Sequence, residues 1–375
     1  MLPSQSRLLT IHSILYQLSV SLAGGFVGAV LLKNGFSLAE ALLCFALLLV
    51  ARMGMRFGAL IVIRRIGYKN AMLLGVMLSA AQFIPLIQAD RWPWLIGWIA
   101  TLAVAESLYW PIYHSASAVV GHSAVGKELG IRSAGNALVN VVGPAAGGLI
   151  LSRYGVTTEF SLAAIITILA IAPLLYLTDI PAGPVPKTRQ AMRPTHYRGM
   201  IVFAADGWMS SGIAVAWPMI LFLSLGSHFD AFGLANAGAG MAGAIAGLYS
   251  GSLIDRGGRS RSAKWVSVAL AIAIGLRAAA DWSPLAATAA NATGAVVMGF
   301  YVPILMSVMY AGAKRSEAAY AFHFTAEAGW DLGAACGCLV AAAVASGGEG
   351  HASLAVLPSA LAVLVLYRTL RHTPD

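Results

Sequence analysis

The amino-acid sequence predicts an all-α membrane protein, with twelve transmembrane helices in two pseudo-symmetric six-helix bundles. Three observations predict it. Of 375 residues, 59% are hydrophobic and only 10% charged, whereas a soluble domain is about 25% charged. Apolar stretches of about 20 residues, the length that crosses a bilayer's hydrocarbon core, recur along the whole chain with short polar breaks. Several features also repeat at an offset of 190 to 192 positions, which predicts a duplicated unit.

In chain order the predicted spans are 9–32, 38–63, 70–88, 93–118, 129–152, 159–178, 198–224, 231–254, 264–281, 285–311, 317–346 and 352–369. The first is too long for a signal-peptide core and runs into Lys33-Asn34-Gly35 without a small-residue cleavage site, so it is expected to stay as a helix. Lys and Arg crowd one set of alternating ends, with Arg7, Arg64, Arg65, Lys69, Arg193, Arg198, Lys264, Lys314 and Arg315 among them, against Lys33, Arg91 and Arg153 at the other. Cytoplasmic loops collect such residues. Both termini are therefore expected in the cytoplasm, with the chain in a cell inner membrane. The net charge of +9 is largely this asymmetry, and its dispersal over many loops argues against nucleic-acid binding. Cys44, Cys336 and Cys338 all fall in apolar spans, where they read as small buried hydrophobes and not as metal ligands.

The longest polar stretch is DIPAGPVPKTRQAMRPTHYR, residues 179–198. It reads as a cytoplasmic linker between a bundle at 1–178 and another at 199–375. Across it, Gly35 matches Gly226, and Tyr109-Trp110-Pro111-Ile112 matches Tyr301-Val302-Pro303-Ile304. Arg132, Asn136 and Asn140, one helical turn apart, match His323, Glu327 and Asp331. Two such bundles with a cavity between them are a transporter plan that alternates access by rocking.

Residues 251–261, GSLIDRGGRSR, resemble the loop signature of the major facilitator superfamily, Gly-x-x-x-Asp-Arg-x-Gly-x-x-Arg. Gly251, Asp255, Arg256, Gly258 and Arg261 stand in the matching places. Residues 142–148, VGPAAGG, resemble that family's Gly-Pro-x-x-Gly-Gly signature, frequent in exporters that exchange substrate for protons. The resemblance covers essentially the whole chain and implies the family's fold and transport activity. Two places depart from it. The loop at 60–70 has Leu60 and Arg64 where the signature has Gly and Asp, and the fourth helix lacks the family's Arg motif and carries Glu106. The resemblance brings Asp255 to the start of the fifth span at Lys127, where an anion suits a helix N-terminus. In the other half Arg64 would meet Glu317. Two latches of opposite polarity, closing the cytoplasmic side, are expected.

An ionisable side chain at the bilayer centre costs about 2.5–3.5 kcal/mol on insertion scales, so each needs a partner, a wet cavity or a role. Glu106, Glu327, Asp331 and Asp206 are the intramembrane acids expected to carry protons. Arg52 and Arg56 share a face of the second span and either contact substrate or neutralise those acids permanently. His323, one turn before Glu327, reads as a proton relay or as a solvated side chain. Pro111 and Pro303 bend the fourth and tenth spans, which places Tyr109, Trp110 and Tyr301 among the candidate cavity residues with Tyr16, Gln17, Trp208, Asn136 and Asn140.

No metalloprotease, nucleophile-elbow, Walker or cysteine-rich motif is present, so enzyme and ATP-pump readings are disfavoured and no cofactor is expected. The expected function is proton-coupled export of a small organic solute by a monomer embedded in lipid. Uptake of a polar nutrient is the alternative, and a non-transporting receptor of the same fold the rival.

Overall fold

The computed structural model describes residues 4–120, 127–180, 182–254, 259–280, 283–316 and 318–371, and every regular element in it is helical. Before the linker run α1 (Gln5–Ala23), α2 (Val27–Lys33), α3 (Leu38–Ala81), α4 (Phe83–Ile87), α5 (Trp92–Val120), α6 (Lys127–Leu169) and α7 (Ile171–Leu175). The linker holds α8 (Thr188–Ala191). After it come α9 (Tyr197–Ser210), α10 (Trp217–Ser224), α11 (Phe229–Ile254), α12 (Arg259–Ala278), α13 (Pro284–Arg315), α14 (Ala319–Ala345) and α15 (Ala360–Arg371).

Among the described residues, nine helical stretches are long and apolar enough to cross a membrane. The chain is a multi-pass membrane protein. Two of the nine are far longer than the roughly 20 residues of one crossing, Leu38–Ile87 with 50 and Ala134–Leu175 with 42. Each contains one glycine outside helical geometry, Gly67 and Gly155, both at φ 79°. That conformation is strained for a residue with a Cβ. α12, with Arg259, Arg261, Lys264 and Arg277, is not among the nine.

Local chemistry sets several helix starts. Ser37 and Glu40 form a reciprocal capping box at the head of α3, the Ser37 N–H donating to Glu40 Oε2 at 2.8 Å. At the head of α13, Ser283 accepts from the Ala286 N–H beside Pro284, whose fixed φ suits a first turn. Between α9 and α10 the chain widens into a π-turn over Ser211–Ala216, just before Pro218.

Before the linker, α3 packs on α5 and α1 on α6. After it, α9 packs on α14, and α13 lies against both α11 and α12. Two broad contacts join the halves of the sequence, α3 against α14 and α6 against α11. Glycines let these backbones touch. A Cβ on Gly148 or Gly240 would strike a carbonyl oxygen across the α6–α11 contact, at Phe229 and Asn140. Gly143 and Gly147 are pressed in the same way against Ser21 and Leu22 of α1. Close helix approach thus accounts for the glycines of residues 142–148. On α14, Gly329 and Gly333 seat against backbone oxygens of Met200 and Ala204, while Gly207 of α9 meets the Trp330 oxygen.

The linker is bonded from both sides. Pro186 O accepts from the Arg64 guanidinium at 2.5 Å, Ala182 O accepts from the Tyr320 N–H at 3.4 Å, and Ala191 O accepts from the Thr325 hydroxyl. Asp255, Arg256, Gly258 and Glu317 lie outside the described residues, and Lys127, Gly251 and Arg261 are described only as helix positions.

Candidate functional site

The structure gathers five of the intramembrane charges at the α3–α14 seam. Arg52 donates from Nε to Asp331 Oδ1 at 2.5 Å and also pairs with Glu106. Arg56 donates from Nε to the other oxygen, Asp331 Oδ2, at 2.5 Å. Asp331, fully buried, is therefore held by two guanidiniums at once. Glu327 is held more loosely, 3.3 Å from Arg56 Nη2 and 3.5 Å from His114 Nε2. The Ser107 hydroxyl donates to the Arg52 carbonyl at 2.9 Å and ties α5 to the group.

His114 was not foreseen from the sequence, yet it stands four and eight residues beyond Trp110 and Glu106, on the same face of α5. Its ring stacks on His323 at 5.6 Å. His323 itself is fully buried, with both ring nitrogens unpartnered among the described residues, so the expectation of a solvated side chain is corrected. The reason is that Tyr310, Phe322 and His114 close around it.

Asp206 sits apart from the arginines. It accepts from the Tyr301 hydroxyl at 2.7 Å and from Trp330 Nε1 at 2.9 Å. Trp330 also lies under Arg52, 4.9 Å from the guanidinium carbon to the ring centroid. All three of Asp206, Tyr301 and Trp330 belong to helices after the linker.

The other seam is different. Beside the α6–α11 contact lies a cavity of about 690 Å³ between α1, α6, α10, α11 and α13. Gln17, Asn136 and Asn140, all expected on such a wall, are there. Asn236 and Asn291, which were not foreseen, join them. Each is an amide inside an apolar span, the same signal that pointed to the acids. Among the described residues, no charged or titratable side chain lines the cavity.

The aromatic residues expected on the wall face elsewhere. Tyr109 is buried, bonds His12 Nε2 at 3.0 Å and stacks on Tyr16 at 4.2 Å. The Tyr16 hydroxyl pairs with Ser79 at 3.1 Å. Trp110 stacks on His114 at 5.6 Å. Trp208 donates to the Pro358 carbonyl at 2.8 Å, and Tyr301 is committed to Asp206. The polar tips of Tyr16, Tyr109, Trp208 and Tyr301 find partners within the packing, which removes the need for a cavity.

Sequence and structure comparisons agree with this architecture. The profile of the Major Facilitator Superfamily matches residues 9–199, and the chain belongs to that superfamily. No curated protein sequence matches it. Among solved structures it is similar to the nucleoside transporter NupG, with 14% identity, TM-score 0.69, and 98% of this chain and 99% of that chain covered. It is also similar to a D-xylose-proton symporter, with 12% identity, TM-score 0.67 and 96% of each chain covered. The E. coli fucose:proton symporter FucP shares 15% identity at TM-score 0.63, over 99% of this chain and 98% of that one. At such identities the likeness is one of fold.

Proposed function

We propose that this protein is a proton-coupled secondary transporter of a small organic solute. It works by alternating access between a six-helix unit at 1–178 and another at 199–375, joined by the linker 179–198. Breaking α3 at Gly67 and α6 at Gly155, and counting α12 as a crossing, gives the twelve spans. The Lys and Arg asymmetry puts both termini in the cytoplasm of a bacterial cell, with the protein in its inner membrane.

One observation supports the proton coupling above all others. At the α3–α14 seam three carboxylates, Glu106, Glu327 and Asp331, face two guanidiniums, Arg52 and Arg56. Fully ionised, the group carries an excess negative charge in a dry place, which is costly. One proton balances it. Asp331 is clamped and Glu106 is paired, so the proton belongs on Glu327, whose contacts are the longest. The half-buried His114 and the buried His323, on the linker side of Glu327, offer a route to it.

The seam joins the two units, so its charge balance biases their closure. With Glu327 protonated the group is neutral and the seam closes. With Glu327 ionised the excess charge is relieved by opening to water. Coupling requires a group whose contacts differ between states. Glu327 meets that condition and Asp206 does not, because its partners Tyr301 and Trp330 move with it.

Symport into the cell is favoured over export. Among the described residues the solute cavity holds no titratable group, and the proton group lies at the other seam, so both can be occupied together. The glycines of residues 142–148, which suggested export, are accounted for by helix packing. In proteoliposomes, the wild type is expected to accumulate solute when a pH gradient is imposed. Glu327→Gln should exchange solute across the membrane without accumulating it. Undiminished accumulation by that variant would remove Glu327 from the coupling.

A further inference from the structure

We infer that the solute is uncharged and bears hydroxyl or amide groups, and that Asn236 and Asn291 set its orientation. This rests on the cavity being the solute site of the transporter proposed above.

Among the described residues the cavity wall is polar without being charged. Gln17, Asn136, Asn140, Asn236 and Asn291 supply its polar side-chain groups together with Ser21, among glycines, alanines and a few larger apolar residues. An ionic solute would leave water for a wall that offers no counter-charge, a large unfavourable transfer. Arg277 of α12, a buried cation, is not on the wall. Its guanidinium packs over the Trp217 ring at 5.5 Å and against Gly294.

The amides after the linker have a fixed polarity. Indole nitrogen can only donate, and Trp217 Nε1 donates to Asn291 Oδ1 at 2.9 Å. That forces the Asn291 amino group to face Asn236, to whose Oδ1 it donates at 3.2 Å. The Asn236 amino group in turn donates to the Phe232 carbonyl at 2.9 Å. Each amino group has two N–H bonds, so one from each residue is left over on this wall.

The opposite wall carries an unmet acceptor. Asn136 Oδ1 is buried and has no hydrogen-bond partner among the described residues. Asn140 and Gln17 stand beside it on α6 and α1. Donors on one side and an acceptor on the other are the complement of a group that both accepts and donates. A hydroxyl does so through one atom, and an amide or lactam edge through two neighbouring ones. A site built this way also discriminates against analogues that lack the group, because its own buried polar atoms are then left unpaired.

The test is thermal stabilisation of the purified full-length protein by three sets of probes, since a specific ligand raises stability by mass action. The uncharged set is uridine, D-xylose and myo-inositol. The anionic set is uridine 5′-monophosphate and D-xylonate, and the cationic set choline and D-glucosamine. A melting shift is expected from an uncharged probe and from none of the charged ones. Asn136→Ala, Asn140→Ala and Asn291→Leu should each weaken that probe about tenfold, the loss of roughly one hydrogen bond. Their unliganded melting temperatures control for folding, and Asn140→Ala, whose side chain opens to the cavity, is the variant least exposed to that problem. A shift from a charged probe, or an uncharged probe indifferent to all three variants, would overturn the inference while leaving the transporter reading intact. An uncharged probe that binds as expected but is never moved across a membrane would uphold the inference and sink the transporter reading.

Discussion

The two seams between the halves are built from matching positions of the repeat and have opposite chemistry. At an offset of 191, Arg52 and Arg56 of α3 correspond to Gly243 and Gly247 of α11. Glu327 and Asp331 of α14 correspond to Asn136 and Asn140 of α6 in the same way. One seam is therefore filled by two guanidiniums and two acids, joined by Glu106. In the other, the arginines have shrunk to glycines and the acids have become amides, and a cavity opens there that Gly243, Gly247, Asn136 and Asn140 all line. Met298, 192 positions beyond Glu106, lines it too. The lesson is a division of labour after duplication. In the function proposed here, one seam carries the proton and the other the solute.

The largest effect is expected from Arg52→Met. It leaves Glu106 without its arginine and Asp331 with Arg56 alone, and in a buried place losing one partner of an ion pair costs about 3–5 kcal/mol. A fall of many degrees in melting temperature would register this, and a near-native value would mean the charged seam contributes little. Asp331→Asn should behave differently. It leaves two acids for two guanidiniums, so folding is largely kept, but Glu327 is held ionised and pH-driven accumulation is lost. The smallest effect belongs to the other seam. A Cβ on Gly247 would find its nearest neighbour, the Gly299 oxygen, at 4.0 Å, so Gly247→Ala should keep stability and weaken solute binding only a few-fold. Calorimetry with a bound probe checks it, and unchanged affinity would place the solute away from α11.

Much of this was legible in the sequence because membrane insertion makes polar residues conspicuous. Glu106, Glu327, Asp331, Arg52 and Arg56 announce themselves by cost, and the structure brings all five together. Gln17, Asn136 and Asn140 were readable for the same reason. What sequence could not give is which face of a helix meets which neighbour. Tyr16, Tyr109, Tyr301 and Trp208 look like cavity residues until His12, Ser79, Asp206 and the Pro358 carbonyl are seen to take their polar tips. Gly243 and Gly247 leave no polar signal at all, since the cavity follows from side chains that are missing. Asp255 and Glu317, expected from the sequence to gate, lie outside the described residues. For Arg64, the structure adds a bond to the linker carbonyl of Pro186.

The central claim is that the charged seam holds one exchangeable proton and that it sits on Glu327. Infrared difference spectra of the purified protein between high and low pH measure this directly, because a buried protonated carboxyl has its own C=O band. Such a band is expected to appear on acidification, to vanish in Glu327→Gln and to persist in Asp206→Asn. A band that survives in Glu327→Gln and disappears in Asp206→Asn would contradict the account.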